Sequence, residues 1–219
     1  MAIRILALTL LISLTASVTA GAHRLDEYLQ ATRVDIDVNR VNLEIDLTPG
    51  VSIAKQVTGW IDTNGDGQLS QPEGLAYAKD VLMSLALTID RRPATLTLRD
   101  VQVPEVDDIA GGVGTIRLRA SAELPEGSNG RHEITFVNTH RRDVSVYLSN
   151  ALVPSDSRIQ ILTQQRDHEQ HSLTIDYDLE TAGALRRISW VTGAVGLLAM
   201  AMVIRGGLGR FRPRRARPV

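Results

Sequence analysis

The chain contains no cysteine. Disulfide staples, thiolate metal sites and cysteine nucleophiles are excluded together, although an oxidising compartment is not, since many exported proteins stay folded without disulfides. No G-x-S-x-G elbow, phosphate-binding glycine loop, dinucleotide fingerprint or H-E-x-x-H helix occurs, so the common hydrolytic and nucleotide chemistries have no recognisable motif. Nothing orders Ser, His and Asp into a triad, and the chain is expected not to be an enzyme. Internal repeats and low-complexity tracts are also lacking. Acidic residues are missing from both ends: all 25 fall between His23 and Leu185, against fifteen basic residues, a balance of −10 behind the overall −1. Phosphate repels such a domain. The basic C-terminal run has no interleaved aromatic beyond Phe211, which argues against nucleic acid as a partner.

The two ends carry membrane signals. Residues 1–22 join a basic Arg4, an apolar stretch from Ile5 and the small residues Ala20-Gly21-Ala22. This is the form of a secretory signal peptide whose cleavage leaves His23 as the new N-terminus. Residues 188–204 are uncharged over 17 positions, at the short end of the ~17–25 needed for one transmembrane helix. The tail 205–219 carries six arginines and no acid, which places it in the cytoplasm by the positive-inside rule, with Trp190 as an anchor on the outer side. The expected location is therefore the cell membrane, single-pass, with residues 23–185 extracytoplasmic. Within the span, Ser189-x-x-x-Gly193 and Thr192-x-x-x-Gly196 are small-residue spacings that leave self-association open.

Between these ends, alternation of apolar and polar residues dominates. Leu29, Ala31, Val34, Ile36 and Val38 alternate with a slip near Thr32-Arg33, and VNLEIDL alternates cleanly after Asn39-Arg40; together they read as a β-hairpin with one buried face. GTIRLRASAEL, HEITFVN, DVSVYLS, RIQILTQ and SLTIDYDL continue the pattern between polar turns. The expected fold is mainly β, an antiparallel sandwich-like domain. Residues 52–88 interrupt it with helical spacing: Ile53, Val57 and Trp60/Ile61 on one side, then Leu75, Ala78, Leu82 and Leu85/Ala86. Ser70 and Glu73 have the spacing of a capping box, with Pro72 in the first turn.

Between those two helices lies DTNGDGQLSQPE, residues 62–73. A turn needs one Asn-Gly pair; this run holds three carboxylates, an Asn and two glycines. It meets the pattern D-x-[DN]-x-[DN]-G-x5-E at Asp62, Asn64, Asp66, Gly67 and Glu73. Calcium takes about six to eight oxygens at ~2.3–2.6 Å, and oxygens on every second residue can converge on one point. Gly67 permits the reversal that turns the Gln68 carbonyl inward, Ser70 can hold a bridging water, and Glu73 can offer both oxygens. The segment resembles the EF-hand family over loop and exit helix. That resemblance implies Ca2+ bound by Asp62, Asn64, Asp66, Gln68, Ser70 and Glu73. Sensor hands usually work in pairs. Glu105 to Asp108 and Asp176 to Glu180 lack the glycine and spacing for a second loop, so a lone hand reads as a structural clamp in a binding or interaction module.

A different chemistry centres on His23. A terminal amine and imidazole suit copper, nickel and cobalt, with His132, His140, His168 and His171 as the pool for a further ligand; H-E-Q-H at His168 to His171 sits in a polar turn. The mature start AHRLDEYLQATRVDI with VNLEIDLTPG resembles the exported N-terminal portions of bacterial membrane proteins associated with nickel/cobalt-type and HupE/UreJ-type transporters. That resemblance implies an accessory or sensing domain for transition-metal handling beside a neighbouring membrane transporter. With a single span instead of a helix bundle, transport by this polypeptide alone is not implied.

Overall fold

The computed structural model describes residues 26–124 and 129–180. The signal peptide, His23, the span at 188–204 and the basic tail lie outside the described residues. Among the described residues, ten strands form two five-stranded sheets. The first has the order β5-β6-β2-β1-β8, from Thr97–Gln102, Ile116–Glu123, Arg40–Pro49, Tyr28–Ile36 and Ser145–Ala151. The second has the order β4-β3-β7-β10-β9, from Arg92–Pro93, Leu85–Ile89, Gly130–Asn138, Ser172–Leu179 and Ile159–Arg166. Their buried faces share one apolar core, in which Val34, Ile45 and Leu118 of the first sheet join Ile134, Phe136 and Ile175 of the second. The mainly β expectation holds. Every neighbouring pair is antiparallel except β1 with β8, which run parallel, Tyr28 against Ser145 through Val34 against Ala151.

The hairpin β1–β2 forms as read, but its inward face differs. β1 alternates without a slip, and the buried side chains are Tyr28, Gln30, Thr32, Val34 and Ile36. Leu29 and Ala31 face outward. Burying Gln30 needs compensation, and it has it: its amide donates to the His140 carbonyl at 2.8 Å and to Ser145 Oγ at 2.6 Å, and accepts from Asn138 Nδ2 at 2.9 Å. At Gln30, hydrogen bonding takes the place of apolarity on the inward face, beside the core side chains Tyr28, Val34 and Ile36.

The interruption contains α1 (Ala54–Ile61) and α2 (Gln71–Met83). Ile53, Val57 and Ile61 are buried, as their spacing predicts, and Gly59 is exposed with open space around it. The second helix is shorter than its periodicity suggests. It stops at Met83, and Leu85 to Ile89, whose apolar residues also fit a helical stripe, form β3 against β7. A free edge on β7 offers Leu87 and Ile89 burial at 2% and 4% exposure, which continued helix would not. Asp90 and Arg91, both at positive φ, turn β3 into the two-residue β4. A third, five-residue helix not anticipated from the pattern, α3 (Val106–Ala110), buries Ile109 beside α1.

Sheet edges are managed locally. The free side of β8 is occupied by side chains from β9: Arg166 donates to the Ser149 carbonyl, and Gln164 Oε1 accepts from the Ala151 N–H at 3.1 Å. At the other end of the same sheet, α2 covers β5. The approach is close at Gly74, where an added Cβ would lie 2.3 Å from a methyl of Val103. Valine is stiff at χ1, so that methyl cannot swing aside. Gly74→Ala is therefore expected to destabilise the fold by about 1–3 kcal/mol through overpacking, despite a helix-propensity gain of roughly 1 kcal/mol. Urea denaturation measures this; unchanged or increased stability would show that α2 does not rest on Val103.

Candidate metal centre

The loop 62–73 is organised around two carboxylates. Asp62 follows α1 directly, and its Oδ1 accepts the N–H groups of Gly65 at 2.8 Å and Asp66 at 3.2 Å, while Oδ2 accepts that of Gly67 at 3.0 Å. Gly65 and Gly67 lie at φ +71 and +78, a left-handed backbone that glycine adopts without steric cost. Asn64 Oδ1 accepts the Asp66 N–H, and Asp66 Oδ1 that of Gln68, each at 2.8 Å. The alternate oxygens thus fold the loop as well as line it.

Glu73, in the first turn of α2, is 6% exposed. Its Oε2 accepts from Ser70 N at 3.0 Å and Ser70 Oγ at 2.7 Å; its Oε1 accepts from Thr63 N at 2.8 Å and Asn64 N at 3.2 Å. The Ser70 hydroxyl and N–H, with the Asn64 and Thr63 amides, hold this carboxyl down to about 2 against an ordinary 4.5. It is an anion inside a ring of donors, at the positive end of a helix.

All six sequence-identified residues therefore lie in one loop. Asp62, Asn64, Asp66 and Glu73 supply oxygen alone, which suits a hard cation. Their acids are not drawn to one point, however. Among the described residues, one trio of His, Asp or Glu side chains has its ligand atoms all within 4.8 Å of one another, and it is Asp167, Glu169 and His171. In the loop, both oxygens of Glu73 are committed to backbone amides and to the Ser70 and Thr63 hydroxyls. A cation there fits the donor set once Glu73 exchanges some of those hydrogen bonds for ligation. Leu69, at the eighth place, packs partly buried against the domain's own core, where a paired hand would meet its partner.

One turn beyond Glu73, Tyr77 carries α2 into the interior. Its hydroxyl lies 2.9 Å from the Tyr28 hydroxyl and 3.0 Å from His140 Nε2. The His140 carbonyl accepts from Gln30 and, at 2.8 Å, from the Tyr147 hydroxyl. Next to it Arg141 stacks 4.2 Å over the Trp60 ring of α1 and lies 3.6 Å from Asp80 of α2. Both helices are thereby fastened to the segment between β7 and β8. No motif announces this network; it joins residues distant in sequence. It also removes His140 from the pool of surface ligands, since that residue is 2% exposed. His132 is held at 2.9 Å by Asp90.

No protein-family model and no curated protein matches the chain.

Burial, with help from the Arg141 charge, pulls the His140 ring down from 6.5 to about 4. A folded-state value below the unfolded one means that the unfolded chain takes the proton more readily. Stability from neutral His140 is complete above 6.5 and is lost as pH falls towards about 4, on the order of 3 kcal/mol in all. Glu73 acts lower: its contribution is complete above 4.5 and is lost as pH falls towards about 2. Urea midpoints are expected to fall in both windows. His140→Gln should flatten the upper slope and Glu73→Gln the lower. A wild-type midpoint constant from pH 7 to 4 contradicts the assignment to His140.

Proposed function

We propose that this chain binds one calcium ion through residues 62–73, with α1, the loop and α2 acting as a lone EF-hand inserted in the β-domain. Asp62, Asn64, Asp66 and Glu73 would hold the ion by side-chain oxygens, Gln68 by its carbonyl and Ser70 through a water. The observation that carries this reading is the Asp62 carboxylate, which gathers three successive N–H groups from Gly65, Asp66 and Gly67. That arrangement curls the loop backbone tightly, as wrapping a twelve-residue loop around one calcium ion requires. When bound, the ion supplies a charge that offsets the mutual repulsion of Asp62, Asp66 and Glu73.

The role is structural clamping. Leu69 and Tyr77 are tied to the domain's own interior, so closing the loop stabilises the insertion on the sheets without a second hand. The setting is an extracytoplasmic domain carried by one transmembrane helix at 188–204 and retained at the membrane by its basic tail. Calcium outside the cytoplasm is comparatively abundant, and an affinity as weak as ~10⁻⁴–10⁻³ M suits such modules.

Thermal unfolding of the full chain in detergent, with calcium and with a chelator, tests this. At calcium near 100 times Kd the folded state gains about 2.7 kcal/mol, which raises Tm by roughly 5–10 °C for a domain of this size. Asp62→Ala should abolish the response. A Tm indifferent to calcium and chelator alike would sink the proposal.

A further inference from the structure

Val153 is 91% exposed and its neighbour Leu152 37%. They open the loop 152–158 between β8 and β9, where Pro154 and Ser155 follow without a charge until Asp156. Arg158 neutralises that acid, donating from Nη2 to Oδ2 at 2.7 Å and from Nε to Oδ1 at 3.0 Å. Single exposed apolar residues are ordinary on a protein surface; the position of this pair is what sets it apart. The Leu152 N–H donates to the Val34 carbonyl at 2.8 Å, near the C-terminal end of β1, and the Glu180 N–H donates to the Arg158 carbonyl at 2.8 Å. Glu180 follows β10 directly and is the last described residue. The loop that shows Val153 to solvent is therefore bonded to the exit of the domain. Met83 and Val113 are also exposed, at 80% and 77%, but Met83 ends α2 and Val113 follows α3, on the helical side.

We propose, resting on the reading of residues 188–204 as a membrane span, that this loop sits on the lipid bilayer through Leu152 and Val153. The domain then stands on the membrane at the end holding the β1–β2 turn and the exit from β10. Residues 181–187 join the described domain to the span, and an extended segment of that length reaches at most about 25 Å. The exit is thus held close to the bilayer. The other end of β1 lies roughly 26 Å away along the strand from Ile36 to Tyr28. There Tyr77 of α2 meets Tyr28 at 2.9 Å. In this stance the helical insertion, with the loop at 62–73, points away from the membrane.

The contact is apolar in kind. With a balance of −10 over residues 23–185, the domain gains nothing from anionic headgroups. The two charges of the loop, Asp156 and Arg158, neutralise each other. Leu152 and Val153 therefore enter the headgroup boundary without stripping water from a bare charge. Two such side chains do not hold a free domain on a bilayer. A short tether changes that, because it sets an effective concentration on the order of millimolar, at which a weak contact stays made.

Since the chain has no cysteine, single-cysteine labels read the stance directly. The full chain is reconstituted in phosphatidylcholine nanodiscs with a fluorophore on Val153→Cys, Met83→Cys or Ala194→Cys, and quenched by nitroxide lipids or aqueous iodide. Lipid nitroxide is expected to quench at 153 at least threefold more than at 83, with iodide in the opposite order. With the label on Ser157→Cys instead, Leu152→Asp together with Val153→Asp should lower lipid quenching at least twofold. Ala194 lies in the span and reports on that assignment by itself. Quenching at 194 with equal quenching at 153 and 83 overturns the membrane contact alone, as does unchanged quenching at 157 in the doubly substituted chain. No lipid quenching at 194 overturns the span, and the contact with it.

Discussion

The hydroxyl of Tyr77 bonds in two directions, to Tyr28 on β1 and to His140 beyond β7, and so joins α2 to both sheets. Burial keeps all three groups neutral: it raises both tyrosines and lowers the histidine. A neutral hydrogen-bonded chain in a dry interior costs less than ionised groups and is directional. Glu73 lies four residues before Tyr77, on the same face of the helix. One side chain thus holds the loop and the other holds the domain, a single turn apart. A rearrangement at Glu73 acts on the same two turns of backbone that position Tyr77, and Trp60 with Arg141 repeats the connection from α1.

Where burial follows apolarity, the architecture is legible in the residue pattern. β2, β7 and β10 alternate as their residues suggest, and the oxygen-rich loop lies between two helices. Legibility fails where a tertiary partner overrides the local preference. Gln30 faces inward because the core around His140 is polar, a fact held by residues more than a hundred positions away. Leu85 to Ile89 satisfy a helical period and a strand equally well, and the open side of β7 decides between them. In the candidate site, spacing picks out the oxygen-bearing residues but not the state of Glu73, which depends on N–H groups of Thr63, Asn64 and Ser70.

The outer face of the first sheet shows how an acidic domain accommodates its charges. Arg33 bonds Glu44 at 3.1 Å and Asp46 at 3.0 Å, and Arg117 and Arg119 approach the same two acids from β6. These pairs are exposed and individually worth little, but alternating signs across strands prevent like charges from facing each other. They belong to the solvated side of the sheet, opposite the core.

The parallel pairing of β1 with β8 has a kinetic corollary. The strand nearest the start of the domain finds its second neighbour only after β8 has been synthesised, with three helices and six further strands in between. Closing so long a loop must precede the contacts that reward it, so high contact order places such topologies among the millisecond-to-second folders. Until β8 arrives, one edge of β1 stays open, a row of unpaired N–H and C=O groups on an unfinished sheet.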